Sequence, residues 1–586
     1  MKKIGIGYED YKRIIDDDCY YADKTMLVKE ILDKGGMVTL FTRPRRFGKT
    51  LALSMLQTFF EEARDFDGNI VDNSRYFSGM KIMDADKTIL DRMGKYPVIK
   101  LSLKSAKQPD FETAFLKLRE EIIGEFWRHE YITDSDNLSE ESRNQFNELL
   151  KGVSRWNDRT RHPISKEERR ALLTEERGKY ATALKTLSTM LRAYHNKNVI
   201  ILLDEYDVPL ENAYYCGFYE EMVSFIRSLF ESALKTNDAL EFAVVTGCLR
   251  ISKESIFTGL NNLEVNSIRS LYFGEYFGFT QDETEKMLKD YELSSNVEIV
   301  KEWYDGYLFG NADVYNPWSV IKYVKEHIGA PERFPEPYWS NTSSNSIIKE
   351  MVNNADESVK EELDTLISGG TIEKEIHEDI TYDDIDKSED NLWNFLYFTG
   401  YMKKISERLD GRKIYATLKI PNQEICSIYE NQISDWFKGV VKKHSTDPLY
   451  KAILEKDTEG IENFVSDLLA KSISYFDSEE SFYHGFFLSL LYGMPGYSVK
   501  SNREAGNGRA DIVLYPIRPK DPAYIFELKH CKKYNEMEAG LKEALDQIID
   551  QKYVDGILDE GYIGAVSFGI CFCKKSCVAG ILVDSN

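Results

Sequence analysis

Two short runs of this sequence carry residues that could do chemistry on phosphates. In "FTRPRRFGKT", residues 41–50, Gly48, Lys49 and Thr50 close a loop of the pattern G-x-x-x-x-G-K-[ST]; Arg43 stands where the pattern has its first glycine. A lysine and a hydroxyl opening a helix suit a nucleoside triphosphate. The unpaired N–H groups and positive dipole end of the helix meet the phosphates, Lys49 reaches the β- and γ-phosphates, and the Thr50 hydroxyl sits on Mg2+. Gly48 lets the backbone come close to the ligand. Pro44 fixes φ, so the loop enters more rigidly than a glycine would allow. Arg43, Arg45 and Arg46 either supply charge to phosphate, nucleotide or a bound nucleic acid, or are solvated loop arginines. The run "NVIILLDEYDVPL", 198–210, supplies the second half of such a site. Asp204 ends an apolar strand and is placed to hold Mg2+; Glu205 follows, placed to orient or deprotonate the attacking water.

The other run is "GRADIVLYPIRPKDPAYIFELKH", residues 508–530. Asp511 lies in one expected strand, and Glu527 and Lys529 in the next. Residues i and i+2 of a strand share a face, so Glu527 and Lys529 project together, and Asp511 joins them if the strands pair. This resembles the core of a PD-(D/E)xK nuclease. There two carboxylates and the Leu528 carbonyl would bind Mg2+, and the lysine would position or activate water against a phosphodiester. The acids adjoin Ile512, Val513, Leu514, Ile525 and Phe526, so they should be buried, and buried carboxylates need a metal or a cation. The preceding helix, "EESFYHGFFLSLL", carries Glu480 and His484 one turn apart; His484 assists the site or is a satisfied structural histidine. Gln547, Gln551 and Tyr553 on the following helix resemble the trailing helix of this nuclease class. Arg503 and Arg509 could meet phosphate.

The elements that must position these groups follow from periodicity. "MVTLF", "YPVIKLSL", "VIILLDE" and "LEFAVVTG" are apolar strands separated by helical text, which indicates a parallel sheet with crossover helices. Residues 108–195 read as a charged helical insertion, with "RWNDRTRHPISKEERR" as an exposed basic connection. From about 275 to 460 the text is helical and acidic, and its aromatics Trp303, Tyr304, Tyr307, Tyr315 and Trp318 either stack bases or, the preferred reading, form the core of a small helical lid. A last α/β unit ends with a strand near 564–574. The cysteines of "CFCKKSC" fit no common zinc spacing and read as strand residues.

The 586 residues contain 75 Lys and Arg against 98 Asp and Glu, a net charge of −23. Such a chain is not coated in basic surface, although a local basic groove remains compatible with it. No signal peptide is evident and no run is long and apolar enough to span a bilayer, so a cytoplasmic protein with no membrane partner is expected.

Taken together, "YYADKTMLVKEIL", "TRPRRFGKTLALSML", "LLDEYDVPL", "TGCLRISKESIFTGLNNL", "LYFGEYFGFT" and "WYDGYLFGNADVYNPWSV" resemble the AAA-ATPase-like family of bacterial proteins, in which the arginine-bearing loop is the usual form. The resemblance covers most of residues 5–320. It implies an α/β chain: a P-loop AAA-type ATPase domain over 1–275 with the insertion at 108–195, a helical lid or middle region over 276–465, and a restriction-endonuclease-like α/β core, PD-(D/E)XK, over 466–586. It places Thr246 as a polar sensor of the γ-phosphate and Arg250 as a nearby charge sensor or interaction residue. The expected binding set is then Arg45, Arg46, Gly48, Lys49, Thr50, Asp204 and Thr246 for ATP, with Thr50, Asp204, Asp511 and Glu527 as metal ligands. Glu205, Asp511, Glu527 and Lys529 are the expected catalytic residues. The expected function is ATP binding and hydrolysis coupled to Mg2+-dependent cleavage of nucleic acid, DNA being the expected partner, with a homo-oligomer compatible. The alternative is an ATP-dependent regulatory switch whose nuclease-like domain only binds nucleic acid or a partner.

Overall fold

The computed structural model describes residues 1–65, 67–161, 164–249, 256–257, 260–339, 357–367, 369–378, 388–429, 445–472, 480–491, 493–505, 508–518 and 520–582. Two compact units result, one of residues 1–339 and 373–424, the other of 340–372 and 425–586. Among the described residues no helix is long and apolar enough to cross a membrane.

In the first unit five strands form one sheet: β1 (Val38–Thr42), β2 (Val98–Ser102), β3 (Val199–Asp204), β4 (Leu240–Gly247) and β5 (Leu263–Asn266), in the order β2-β3-β4-β1-β5. Every pairing is parallel. All residues of β1 and β3 are buried, as expected where helices cover both faces of a sheet and the strand sequence carries no alternation. Because the strands run the same way, Thr42, Ser102, Asp204 and Gly247 all end at one edge, the edge where open α/β sheets bind ligands.

The stretch between β2 and β3 is helical, from Phe111–Arg128 through Ala183–His195. The basic connection expected at 155–170 is instead mostly helix, Gly152–Thr160 and Lys166–Ala181. The second of these starts with a full capping box, Ser165 and Glu168, whose spacing in the sequence is that of a helix start.

Of the residues read as a middle region, 276–339 and 373–424 pack within this first unit. Tyr304 and Tyr315 are fully buried in an aromatic cluster with Tyr291 and Tyr323, while Trp303 packs against its side. Alongside the helices are strands the sequence reading did not place: a hairpin of Tyr307–Phe309 with Ala312–Val314, and a three-stranded sheet containing Ile372–Glu375, Lys403–Asp410 and Lys413–Lys419. Lys403–Asp410 is largely exposed on both faces, so it lacks the apolar alternation that marks a strand.

The second unit holds β6 (Tyr497–Ala505), β7 (Gly508–Pro516), β8 (Ala523–His530), β9 (Ala565–Cys573) and β10 (Ser576–Leu582) in sequential order. The pairings are antiparallel except that β8 and β9 run parallel, joined through the helices Met537–Asp550 and Tyr553–Asp559. β10 was not expected. It pairs with β9 across the two-residue turn Lys574-Lys575, with Lys574 at φ 54°, a left-handed position where hairpin turns usually carry Asn or Gly. "CFCKKSC" is therefore a hairpin. Cys571, Cys573 and Cys577 are buried, and among the described residues no group of three or more His, Cys, Asp or Glu side chains could hold a metal.

Candidate functional site

The phosphate loop leaves β1 at Thr42, and the Arg43 N–H donates to the Gly247 carbonyl at 3.1 Å. Gly48, at φ 79°, caps the helix Lys49–Phe60 with no side chain on the cap. A Cβ there would meet nothing, so the constraint is the backbone conformation, one glycine adopts freely. The helix start thus keeps its orphan N–H groups for an anion. Lys49 is buried, and its ammonium donates to the Arg43 and Pro44 carbonyls, each at 2.8 Å, with Cys248 Sγ at 3.7 Å. Thr50 is half-buried in the first helical turn.

Across the sheet edge, the Thr246 hydroxyl donates to Asp204 Oδ1, and both residues are buried. Glu205 follows at φ 51°; burial and the Asp204 charge push its carboxyl above the usual range, opposed by Lys104 and Lys49. Lys49, Asp204, Glu205 and Thr246 are therefore brought to one place by three different strand ends.

Asp207 and Tyr206, which the sequence reading left without a role, hold that place together. Asp207 Oδ2 accepts from the Cys248 and Leu249 N–H groups at 2.7 and 3.3 Å, and the Tyr206 hydroxyl donates to the Leu249 carbonyl at 2.5 Å. A Cβ on Gly247 would lie 2.4 Å from the Tyr206 ring, so the turn after β4 closes only on glycine. The signal was present in "DEYD", a second aspartate three residues after Asp204.

The three arginines go three ways. Arg43 is wholly buried beneath the loop: its Nη1 donates to the Thr42 and Asn266 carbonyls at 2.9 and 2.7 Å. Its guanidinium lies over the rings of Phe277 and Phe309, 5.3 and 5.1 Å from their centroids. Burial lowers its pKa to about 9. Arg45 pairs with Glu211, whose carboxyl burial pushes up. Arg46, at φ 68°, lies over Trp318 at 4.1 Å. Arg250 lies outside the described residues.

In the second unit, β7 and β8 pair through Ile512↔Phe526, Val513↔Ile525 and Leu514↔Tyr524. Beyond Ile512 the ladder opens, and the Asp511 side chain fills the fork: its Oδ2 accepts from the Leu528 N–H at 2.9 Å. Glu527 is 1% exposed, with Lys529 Nζ 3.5 Å from its Oε1, and Glu527 Oε2 has no hydrogen-bond partner among the described residues. Burial, and then the Asp511 charge, push Glu527 up to about 7. Asp511, Glu527 and Lys529 thus meet, and an orphaned buried carboxylate oxygen beside a second carboxylate is the donor set a divalent cation fits.

His484 Nε2 lies 3.0 Å from the Asp511 carbonyl, so it touches the backbone of the site. Gln547 donates to the Tyr553 hydroxyl at 3.3 Å, and Tyr553 lies close enough for the Glu527 and Asp511 charges to raise its pKa, after burial and against the Gln547 bond. Arg503 and Arg509 fall on β6 and β7, and Glu480 opens the helix Glu480–Leu491.

Comparison with known proteins agrees with this division. Residues 5–257 match the family described as Predicted AAA-ATPase, and residues 478–580 match the PD-(D/E)XK nuclease superfamily. The chain therefore joins an AAA-ATPase-like domain to a PD-(D/E)XK nuclease-like domain. It is 24% identical over 596 residues to an uncharacterized protein in the vnfD 5′ region of Azotobacter chroococcum mcd 1, covering 100% of this chain and 99% of that one. Among solved structures it is similar to the Walker-type ATPase of Pyrococcus abyssi, at 13% identity and a TM-score of 0.32, over 70% of this chain and 94% of that chain.

Proposed function

We propose that this protein binds and hydrolyses ATP at Lys49, Thr50, Asp204, Glu205 and Thr246, and that this controls metal-dependent cleavage of nucleic acid, DNA in the first instance, at Asp511, Glu527 and Lys529. The observation that carries the second half is Glu527: a buried carboxylate with one unpartnered oxygen, beside Asp511 and Lys529, is costly in a protein with no use for a cation there.

At the first site, Lys49 rests on two loop carbonyls, bonds that phosphate oxygens would take over as the ammonium turns into the loop. Asp204 and the Thr50 hydroxyl would hold Mg2+, with the Asp204 oxygen oriented by Thr246. Glu205 is the group placed to align or deprotonate water. Its raised pKa makes it a better base than a solvated carboxylate. At the second site, a divalent ion on Asp511, Glu527 and the Leu528 carbonyl would supply Lewis-acid stabilisation of the phosphodiester's developing charge. Lys529, held against Glu527, positions the attacking water.

The test is incubation of the purified chain with DNA and RNA, with and without ATP and Mg2+, beside Lys529→Ala. Metal-dependent cutting that ATP changes and Lys529→Ala abolishes is expected. No cutting, or equal cutting by the variant, removes the proposal.

A further inference from the structure

One buried carboxylate ties the phosphate loop to two of the points where the chain leaves the first unit. The chain leaves that unit after Trp339 and again after Glu424. Glu424 is 0% exposed; its two oxygens accept from the Ser319 hydroxyl at 2.8 and 2.9 Å, and Oε1 also from the Trp339 N–H at 2.9 Å. One residue earlier, the Tyr338 carbonyl lies 3.4 Å from Arg46 Nη1. Trp318, the ring beneath Arg46, adjoins Ser319 in the first turn of the helix Pro317–His327. The Trp339 ring stacks on Tyr401 at 4.9 Å, and a Cβ on the neighbouring Gly400 would come within 2.9 Å of Pro44. Loop residues Pro44 and Arg46 therefore both touch the cluster that Glu424 organises.

Arg46 is also strained. It sits at φ 68° in a region that non-glycine residues adopt at a cost, offset here by the Trp318 ring and the Tyr338 carbonyl. A residue held in a costly conformation by removable contacts is a suitable two-state element.

We propose that Glu424 is a positioning residue: by fixing Ser319 and Trp339 it holds Trp318 and the Tyr338 carbonyl where Arg46 rests, so that a triphosphate drawing Arg46 into the loop loosens the chain at 338–339 and 424. This rests on the reading that the loop binds ATP, and it assigns the residues through which that binding is felt. Coupling of this kind is reciprocal, so loosening the cluster must also alter how the loop responds to nucleotide.

The experiment titrates full-length protein with ATP and Mg2+, following affinity by calorimetry and tryptophan emission in parallel, in wild type, Trp318→Phe, Glu424→Gln, Glu424→Ala and Ser319→Ala. An emission change on ATP that Trp318→Phe removes is expected. Glu424→Ala should bind ATP within about threefold of wild type yet lose most of that change, together with about fivefold or more of any ATP effect on nucleic-acid cleavage. Glu424→Gln keeps one acceptor oxygen, which Ser319 and Trp339 can share, and should retain part of it; Glu424→Gln and Ser319→Ala keep the test available if Glu424→Ala fails to fold. ATP binding with an unchanged Trp318 signal, or with the same signal in wild type and the Glu424 and Ser319 variants, overturns the inference alone. Absence of ATP binding in wild type overturns the ATP-site reading and this inference with it.

Discussion

Restoring the glycine that the phosphate loop lacks should damage the protein. Arg43→Gly removes two hydrogen bonds from a charged donor to the Thr42 and Asn266 carbonyls, at about 1.5–3 kcal/mol each. It also removes the contacts with Phe277 and Phe309, about 0.5–2 kcal/mol for a desolvated cation–π pair, and adds the backbone entropy of glycine, about 0.5–1 kcal/mol. Against this, the variant no longer buries a charge, which returns several kcal/mol of desolvation. The net is a loss of about 2–4 kcal/mol, within the range of severe core substitutions. It falls where it matters, because the arginine joins β1, the end of β5 and the 277 and 309 segments directly under the carbonyls on which Lys49 rests. Calorimetry should show ATP affinity reduced by about tenfold or more, and thermal melting lowered by about 2–5 °C. Arg43→Met keeps the stem and gives up the charge. Since apolar replacement of a buried charge is often near neutral, it should recover melting temperature more than ATP binding. If Arg43→Gly binds ATP as tightly as wild type and melts at the same temperature, the arginine is not a support for the loop and the reasoning fails.

Thr246→Val leaves the Asp204 carboxylate buried without its donor, about 1–3 kcal/mol, so ATPase kcat should fall about tenfold or more while the strand stays folded by circular dichroism. Gly247→Ala drives a Cβ against the Tyr206 ring; steady-state ATPase assays should show it losing hydrolysis more completely than Gly48→Ala, whose Cβ meets nothing but whose left-handed backbone is still strained. Glu424 has its pKa pushed up to about 8 by burial, with Arg46 and the Trp339 and Ser319 donors opposing. Between its unfolded value of about 4.3 and this one, the folded state keeps a proton the unfolded state has lost. Stability should therefore fall as pH rises across that window, by up to about 1.4 kcal/mol per unit. Urea midpoints measured from pH 5 to 8 should decline more steeply in wild type than in Glu424→Gln.

How far the sequence reaches can be judged from individual residues. The sheet was legible because β1, β3 and β4 are short, largely apolar runs, and such runs have few other uses in a chain of ordinary composition. The meeting of Asp511 and Glu527 was legible for a related reason: both sit in strands too apolar to carry acids idly, and the Asp511 side chain lies at the fork where β7 and β8 part. What local pattern does not encode is the direction a side chain takes once the chain is folded. Arg43, Arg45 and Arg46 are near neighbours of one residue type, yet one supports the loop from within the core, one pairs with Glu211 and one rests on Trp318. Apart from the Thr42 carbonyl, their hydrogen-bond partners lie from 166 to 292 positions away along the chain, so nothing within the loop distinguishes them. The same holds for Glu424, which in sequence is one acid among 98 Asp and Glu, and becomes singular only because its oxygens are enclosed by Ser319 and Trp339. Arg43 shows the physical reason most directly. A glycine at that position would let the loop bend by its own conformational freedom, whereas an arginine holds it through contacts with β5 and two aromatic segments. The loop's departure from the glycine pattern and the co-occurrence of "LYFGEYFGFT" and "WYDGYLFG" are then one fact: the segments supply the rings between which the arginine is buried.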